Sequence, residues 1–464
     1  MNEHLAPKIS AFCVASLRNS LLLPAIRRLE SEYFGHNLLR PELISGSLML
    51  MLFCLSCPLS VEAAAEENPL QALIDTAEPN AVLTPEPGTY FGSITIDKPL
   101  TIDGQGKVTI DAKGKGSVIY LETDGAIIKN LRLTNSGESH NDIDSGIQVR
   151  GNFNVMKDNT IDNCLFGVDL QQSEHNIVRR NTISSKDFDL GQRGDSVRLW
   201  YSFNNKVTHN TIKESRDMVV WYSRDNVLSH NTISNSRYSL HFMYSQYNKV
   251  EYNRYYNNTV GIFLMYSDGV IVRHNHIAHA AGPTGVGIGF KETSDLIIEN
   301  NEVLYCATGL YIDVSPFQPD STNHFSGNLL AYNGIGIRFL NDWQGNIFKG
   351  NNFTDNLTQI VVPGRGSANR NVWEGNYWGD YEGFDMDADG IGDKPYNLYA
   401  YADSIWSDVP YAQFFKGSPM LEALDFLERL APFSEPLLLV RDKKPLVSPV
   451  VLENNSGTEV ETDG

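Results

Sequence analysis

Leu240-His241-Phe242-Met243-Tyr244-Ser245 recurs one repeat later as Ile262-Phe263-Leu264-Met265-Tyr266-Ser267. Two earlier copies read Val197-Arg198-Leu199-Trp200-Tyr201-Ser202 and Met218-Val219-Val220-Trp221-Tyr222-Ser223. A few positions after each copy an Asn stands inside a V-x-x-N-x-I-like hexamer: Asn210, Asn231, Asn253 and Asn275. A spacing of roughly 22 residues marks a repeat architecture, in which each unit stacks on its neighbours to bury a shared core.

Working outward, the Asn series extends to Asn130, Asn159, Asn181, Asn301, Asn328, Asn351 and Asn376. From Asn159 on, an apolar residue stands three positions before each Asn and another two positions after, as in Val207 and Ile212 or Val272 and Ile277. Short β-favouring runs of period two, separated by turn residues, argue for strands. The reading is an all-β chain: a right-handed parallel β-helix with three short strands per coil and a short C-terminal helical segment. Stacked Asn side chains at a bend can bond from coil to coil, and Asn tolerates the left-handed backbone of such a bend.

Alternation in the four central copies separates two faces. Val197/Leu199/Tyr201, Met218/Val220/Tyr222, Leu240/Phe242/Tyr244 and Ile262/Leu264/Tyr266 read as interior. Arg198/Trp200, Val219/Trp221, His241/Met243 and Phe263/Met265 read as exterior, continued by Phe290 and Glu292. An outward column of Trp, Trp, Met and Met needs an occupant. One reading is a covering loop, the C-terminal segment or a hydrophobic partner. The other is a soft-metal site, because thioether and imidazole donors suit Cu(I) and hard oxygen sites do not select it. Met243, Met265 and His241 are the first candidate copper ligands. His274 and His276 are the second, with His209 and His230 sharing the position of His274 and His279 near by. For these histidines, plain polar edge residues are the alternative.

After Trp378 the repeat stops. Asp385-Met386-Asp387-Ala388-Asp389-Gly390-Ile391-Gly392-Asp393 resembles an EF-hand-like calcium loop, with carboxylates at alternate positions and a Gly at the turn. Asp385, Asp387, Asp389 and Asp393 are candidate calcium ligands. Tyr396 stands where a bidentate Glu would, and an acidic surface turn is the alternative. Leu421, Leu424, Leu427 and Leu430 lie at helical spacing, so 418–430 reads as an amphipathic helix, either a lid or a docking element.

The organisation expected is a leader and signal peptide over 1–65, a β-helix over 66–380, the acidic loop over 381–400, a cap or docking segment over 401–450 and a disordered tail over 451–464. The signal-peptide reading rests on Arg40, the apolar run Leu48 to Leu55 and Ala63-Ala64-Ala65. Cleavage there leaves Cys164 and Cys306, on the same coil position six coils apart, which predicts two unpaired buried thiols. With 56 acidic against 37 basic residues, a nucleic-acid partner is not expected.

At Arg216 to Ser223, Arg237 to Ser245 and Val260 to Ser267 the chain resembles the NosD family of periplasmic maturation factors. Gly282-Pro283, Gly287-Ile288-Gly289 and Gly309 to Asp313 with Ser315-Pro316 share the likeness. The resemblance implies a non-enzymatic periplasmic protein associated with the inner membrane through an ABC transporter, a membrane dimer with a cytoplasmic ATPase. It implies delivery of copper, with a periplasmic copper chaperone as a further partner, toward the copper–sulfur site of nitrous oxide reductase. No G-x-x-x-x-G-K-[ST] occurs in this chain, so ATP chemistry falls to a partner. The competing function is a polysaccharide lyase or epimerase. It would need outward acids and bases in a groove, for which Asp187, Asp189, Asp195, Arg193 and Arg198 are the candidates.

Overall fold

A computed structural model describes residues 68–341, 343–364, 366–400, 418–430 and 436–451. The expected leader and the tail from 452 on lie outside the described residues.

The repeats wind into a parallel β-solenoid. One face is a sheet of 12 parallel strands that includes Val197–Trp200, Asp217–Trp221, Tyr238–Met243, Val260–Met265, Val286–Lys291, Thr308–Asp313 and Ile335–Phe339. The other strands of the coils join in a 24-stranded sheet. Neighbouring rungs stay in register, so equivalent side chains stack. Leu199, Val220, Phe242, Leu264, Phe290, Ile312 and Phe339 form one continuous interior column. All seven are buried. Phe290 therefore points inward, in register with Leu264, and does not continue the exterior column. Gly289 and Lys291 hold that place, opposite Phe263 and Met265.

The Asn series makes a hydrogen-bonded ladder. Asn231 Oδ1 accepts from the N–H and Nδ2 of Asn210 at 3.0 Å each, while its Nδ2 donates to the Val207 carbonyl at 2.8 Å and to Asn253 Oδ1 at 3.1 Å. The pattern runs from Asn159 to Asn376. Asn130 is a correction. The N–H of Leu131 bonds Asn159 Oδ1, so Leu131 occupies the ladder register, and Asn130 sits one residue earlier at the corner with φ 56°. A second ladder, missed from sequence, links Asn154, Asn176, Asn205, Asn226 and Asn248, and later Asn323, Asn346 and Asn371. Its members precede the first series by five residues, so N-x-x-x-x-N was the available signal.

The shared parity of the repeats breaks at the tyrosines. Tyr201, Tyr222, Tyr244 and Tyr266 take φ between 48° and 52°, and Tyr201 and Tyr244 are each 44% exposed. They are not interior. The strand ends one residue earlier, and a left-handed residue turns the next side chain outward. That backbone costs about 1–2 kcal/mol for a non-glycine. The rings offset part of it by stacking along the corner, with centroids 4.8–5.3 Å apart. Glu292 follows them at the same corner, at φ 49°.

Both ends are capped. Helix Pro69–Thr76 is N-capped by Asn68 and buries Leu70 and Ile74 against the first coil. At the other end Leu437–Asp442 pairs antiparallel with Tyr396–Ala400. Buried Asp442 stands where the next Asn oxygen would be, accepting from the N–H of Asn376 at 3.0 Å and its Nδ2 at 2.9 Å. A helix spans Pro419–Leu430, within the stretch read as helical, with Leu427 and Leu430 exposed. Cys164 and Cys306 are buried and free.

Candidate metal centre and the outer face of the central sheet

On the outer face, one column runs Trp200, Trp221, Met243, Met265, Lys291 and Asp313, and the next runs Arg198, Val219, His241, Phe263, Gly289 and Tyr311. Met243 and Met265 are direct neighbours on adjacent rungs, both half-buried. His241 lies two residues from Met243 on the same side, but is only 8% exposed.

A β-bulge explains that burial. Asp217 pairs with Tyr238, yet Val219 pairs with His241, so the later strand carries one extra residue. Ser239 and Leu240 both turn inward, and Tyr238 and His241 share the outer face. Tyr238 stacks on the His241 ring at 4.9 Å, and Trp221 meets it edge-on at 5.7 Å. Nδ1 of His241 lies 3.7 Å from Oδ2 of Asp217, beyond hydrogen-bond length. Neither ring nitrogen has a hydrogen-bond partner among the described residues. A buried polar group left unpaired costs about 1–3 kcal/mol, and a ligand can relieve that cost.

Asp217 is held by Arg237, whose Nε donates to Oδ1 at 2.9 Å and whose terminal nitrogen donates to Oδ2. Burial alone would raise the Asp217 carboxyl, but the His241 and Arg237 contacts outweigh it and keep the group below its ordinary value. Asp195, behind it, is pushed up to about 6 by burial, opposed by Arg216 at 3.0 Å.

The second histidine group forms a corner column. His209, His230, Tyr252 and His274 stack with centroids 4.6, 5.2 and 4.7 Å apart. His276 faces a groove of 300 Å³ beside them, and its Nδ1 bonds Glu302 at 2.6 Å, leaving Nε2 for a ligand. His279 belongs elsewhere: it stacks on Tyr305 at 5.1 Å in a different column.

Among the described residues, Asp385, Asp387 and Asp389 are the one trio of His, Cys, Asp or Glu whose ligand atoms lie within 4.8 Å of each other. The proximity of Asp389 raises the Asp387 carboxyl. Asp393 stands outside the trio, its carboxylate accepting the N–H of Met386 at 2.9 Å. Of the polysaccharide-enzyme candidates, Asp195 is buried on Arg216, Arg198 holds Asp169 at 2.7 Å, Arg193 donates to the Phe188 carbonyl, and Asp187 and Asp189 are exposed.

A family model described as "Periplasmic copper-binding protein (NosD)" matches residues 179–383, and a right-handed β-helix model matches 102–214. A protein of Pseudomonas aeruginosa named "Probable ABC transporter binding protein NosD" is 29% identical over 405 residues, 83% of this chain and 92% of that protein. A protein of the same name from Stutzerimonas stutzeri is 26% identical over 377 residues, covering 74% and 82%. Among solved structures, a mannuronic-acid-specific family 6 polysaccharide lyase from human gut microbiota superposes with a TM-score of 0.49 at 16% identity, covering 67% of this chain and 84% of that one.

Proposed function

The chain belongs to the NosD family, and from that premise we propose that it is a periplasmic protein that binds Cu(I) on the outer face of its central sheet. In this reading it passes the ion, together with an ABC transporter, toward the copper–sulfur site of nitrous oxide reductase, and a periplasmic copper chaperone supplies it. The transporter pairing draws on the names of the two relatives. Copper is cargo here, so a few soft donors on an accessible face serve better than a closed cage. The observation that carries the reading is that Met243 and Met265 stand side by side on adjacent rungs, two residues along from His241, whose imidazole has no hydrogen-bond partner among the described residues. His276, oriented by Glu302, and His274 are a second place where the ion could pause. Asp385, Asp387 and Asp389, with Asp393 behind them, would hold calcium as a structural ion near the closing cap. Among the described residues no helix is long and apolar enough to cross a membrane. The helix Pro419–Leu430, with Met420, Phe426, Leu427 and Leu430 exposed, is the element we assign to docking on the transporter.

The test is Cu(I) titration against a competing chelator, with reductase maturation as the second readout. Met243→Ala with Met265→Ala is expected to leave a folded solenoid that binds Cu(I) at least about tenfold more weakly, the scale of losing soft ligands, and fails to support an active reductase. The reading is overturned if that variant binds Cu(I) like the parent and matures the reductase fully. The column would then be an interface.

A further inference from the structure

Beside the bulge lies a cleft of 630 Å³, in the range of small-molecule sites. Its walls include Arg237, Tyr238, Phe263, Tyr311 and Arg338. Neither Met243, Met265 nor His241 lines it, although Tyr238 on its wall stacks on the far side against His241.

The cleft is built across rungs. Phe263 and Tyr311 are two rungs apart, with Gly289 between them. A Cβ on Gly289 would sit 2.4 Å from the Phe263 ring, so the glycine lets that ring lean over the intervening rung. The two rings approach to 6.0 Å at 46°, and Tyr238 stands edge-on to Phe263 at 6.1 Å. Pro283 and Thr284, from the loop inserted after Asn275, close one side.

The charge of the cleft is out of keeping with the chain. The formal net charge is −19, yet no Asp or Glu lines this cleft and two arginines do. Arg237 is committed to Asp217. Arg338, next to Tyr311 on the neighbouring rung, makes no ion pair or hydrogen bond among the described residues. Its guanidinium is half-buried, and burial holds it below its ordinary value. A desolvated guanidinium is a planar fork of donors that fits a carboxylate in two parallel bonds. Aromatic walls around it suit a flat apolar body.

We propose that this cleft binds a small organic carboxylate, its anionic end on Arg338 and its apolar body between Tyr238, Phe263 and Tyr311. The phenolic Tyr311, Arg338's in-register neighbour, supplies a second polar contact at the anionic end.

Benzoate is the probe, titrated into the copper-free full chain by calorimetry, with benzamide as its neutral counterpart, inorganic phosphate as an anion without an apolar body, and benzylamine as a cation. Benzoate should bind with a dissociation constant on the order of 1 mM or below, the affinity a ligand of this size reaches through one ion pair and one buried ring. Benzamide, phosphate and benzylamine should each bind at least about tenfold more weakly, because each lacks one of the two features. Arg338→Met should lose benzoate binding at least about tenfold, and Arg338→Lys should retain part of it, since an ammonium keeps the charge without the fork. Thermal melts of both variants check the fold, and Arg338→Lys decides if Arg338→Met melts early. Equal binding of benzamide and benzoate overturns the proposal, as does equal binding of phosphate, undiminished benzoate binding by both variants, or no binding of benzoate by the parent.

Discussion

Replacing Asn231 by Ala removes one rung of the main ladder, and the structure gives the size of the effect. Four hydrogen bonds disappear: two accepted from Asn210 and two donated to Val207 and Asn253. Not every partner is orphaned. Asn253 Oδ1 keeps the N–H of residue 231 at 2.9 Å, and Asn210 Nδ2 keeps the Val178 carbonyl at 2.9 Å. The Val207 carbonyl stays in the strand pairing with the next rung, so the Asn210 N–H is the group left without an acceptor, at a position where Asn231 is 1% exposed. A buried group left without a partner costs about 1–3 kcal/mol, which is the loss expected here. Asn130→Gly is the internal control, because that side chain donates to Asp103 at the corner and takes no part in the ladder, and glycine keeps the left-handed backbone there without strain. It should cost under about 1 kcal/mol, in line with a partly exposed hydrogen bond. Urea unfolding followed by circular dichroism measures both. Native-state hydrogen exchange at the Asn210 amide reports the local opening, which a solenoid permits without global unfolding. If Asn231→Ala is no more destabilising than Asn130→Gly, and the Asn210 amide stays protected, the ladder is not what holds the bend.

The same geometry sets four further outcomes. Burial pushes the thiols of Cys164 and Cys306 up to about 12, so in a chain starting at Glu66 neither should react with a thiol reagent at neutral pH until the fold is opened, when both should; rapid native labelling would contradict the buried placement. Asp195, raised from 3.8 to about 6, binds its proton more tightly folded than unfolded, so the stability it contributes is present at low pH and is lost as pH rises through that window. The stability difference between the parent and Asp195→Asn should change across it, and a flat difference would refute the shift. Calcium should raise the melting temperature by mass action, and Asp385→Ala with Asp389→Ala should remove the response; an identical melt with calcium and with chelator would eliminate the ion from the cap. His241→Phe fills the same buried space without unpaired nitrogens, so it should melt no lower than the parent while weakening Cu(I) binding; a lower melt with unchanged Cu(I) affinity would make His241 purely structural.

The repeat, the winding of the chain and the inward columns could be read from sequence alone. They come from local rules: side chains alternate along a strand, and a fixed period stacks like on like. The same rules placed Met243, Met265 and His241 on one face and His209, His230 and His274 in one column. They failed wherever a residue changes parity. A left-handed corner turned Tyr201, Tyr222, Tyr244 and Tyr266 outward, and no periodicity signals that, since a tyrosine after a strand reads the same either way.

The bulge at Asp217 and Tyr238 is one extra residue that enters at Tyr238–Met243 and is kept by the rungs after it, so it shows only as a register shift between two neighbouring rungs. It turned His241 from an exterior residue into a buried one facing Asp217. Asp442 completes the ladder on Asn376 from 66 residues away, and the cleft under Arg338 needs Phe263 to lean across Gly289 toward Tyr311. These are contacts between coils and across the closing cap. Sequence spacing determines which residues share a column. Only the packed chain decides which side chain leans over its neighbour, and which polar atom is left without a partner.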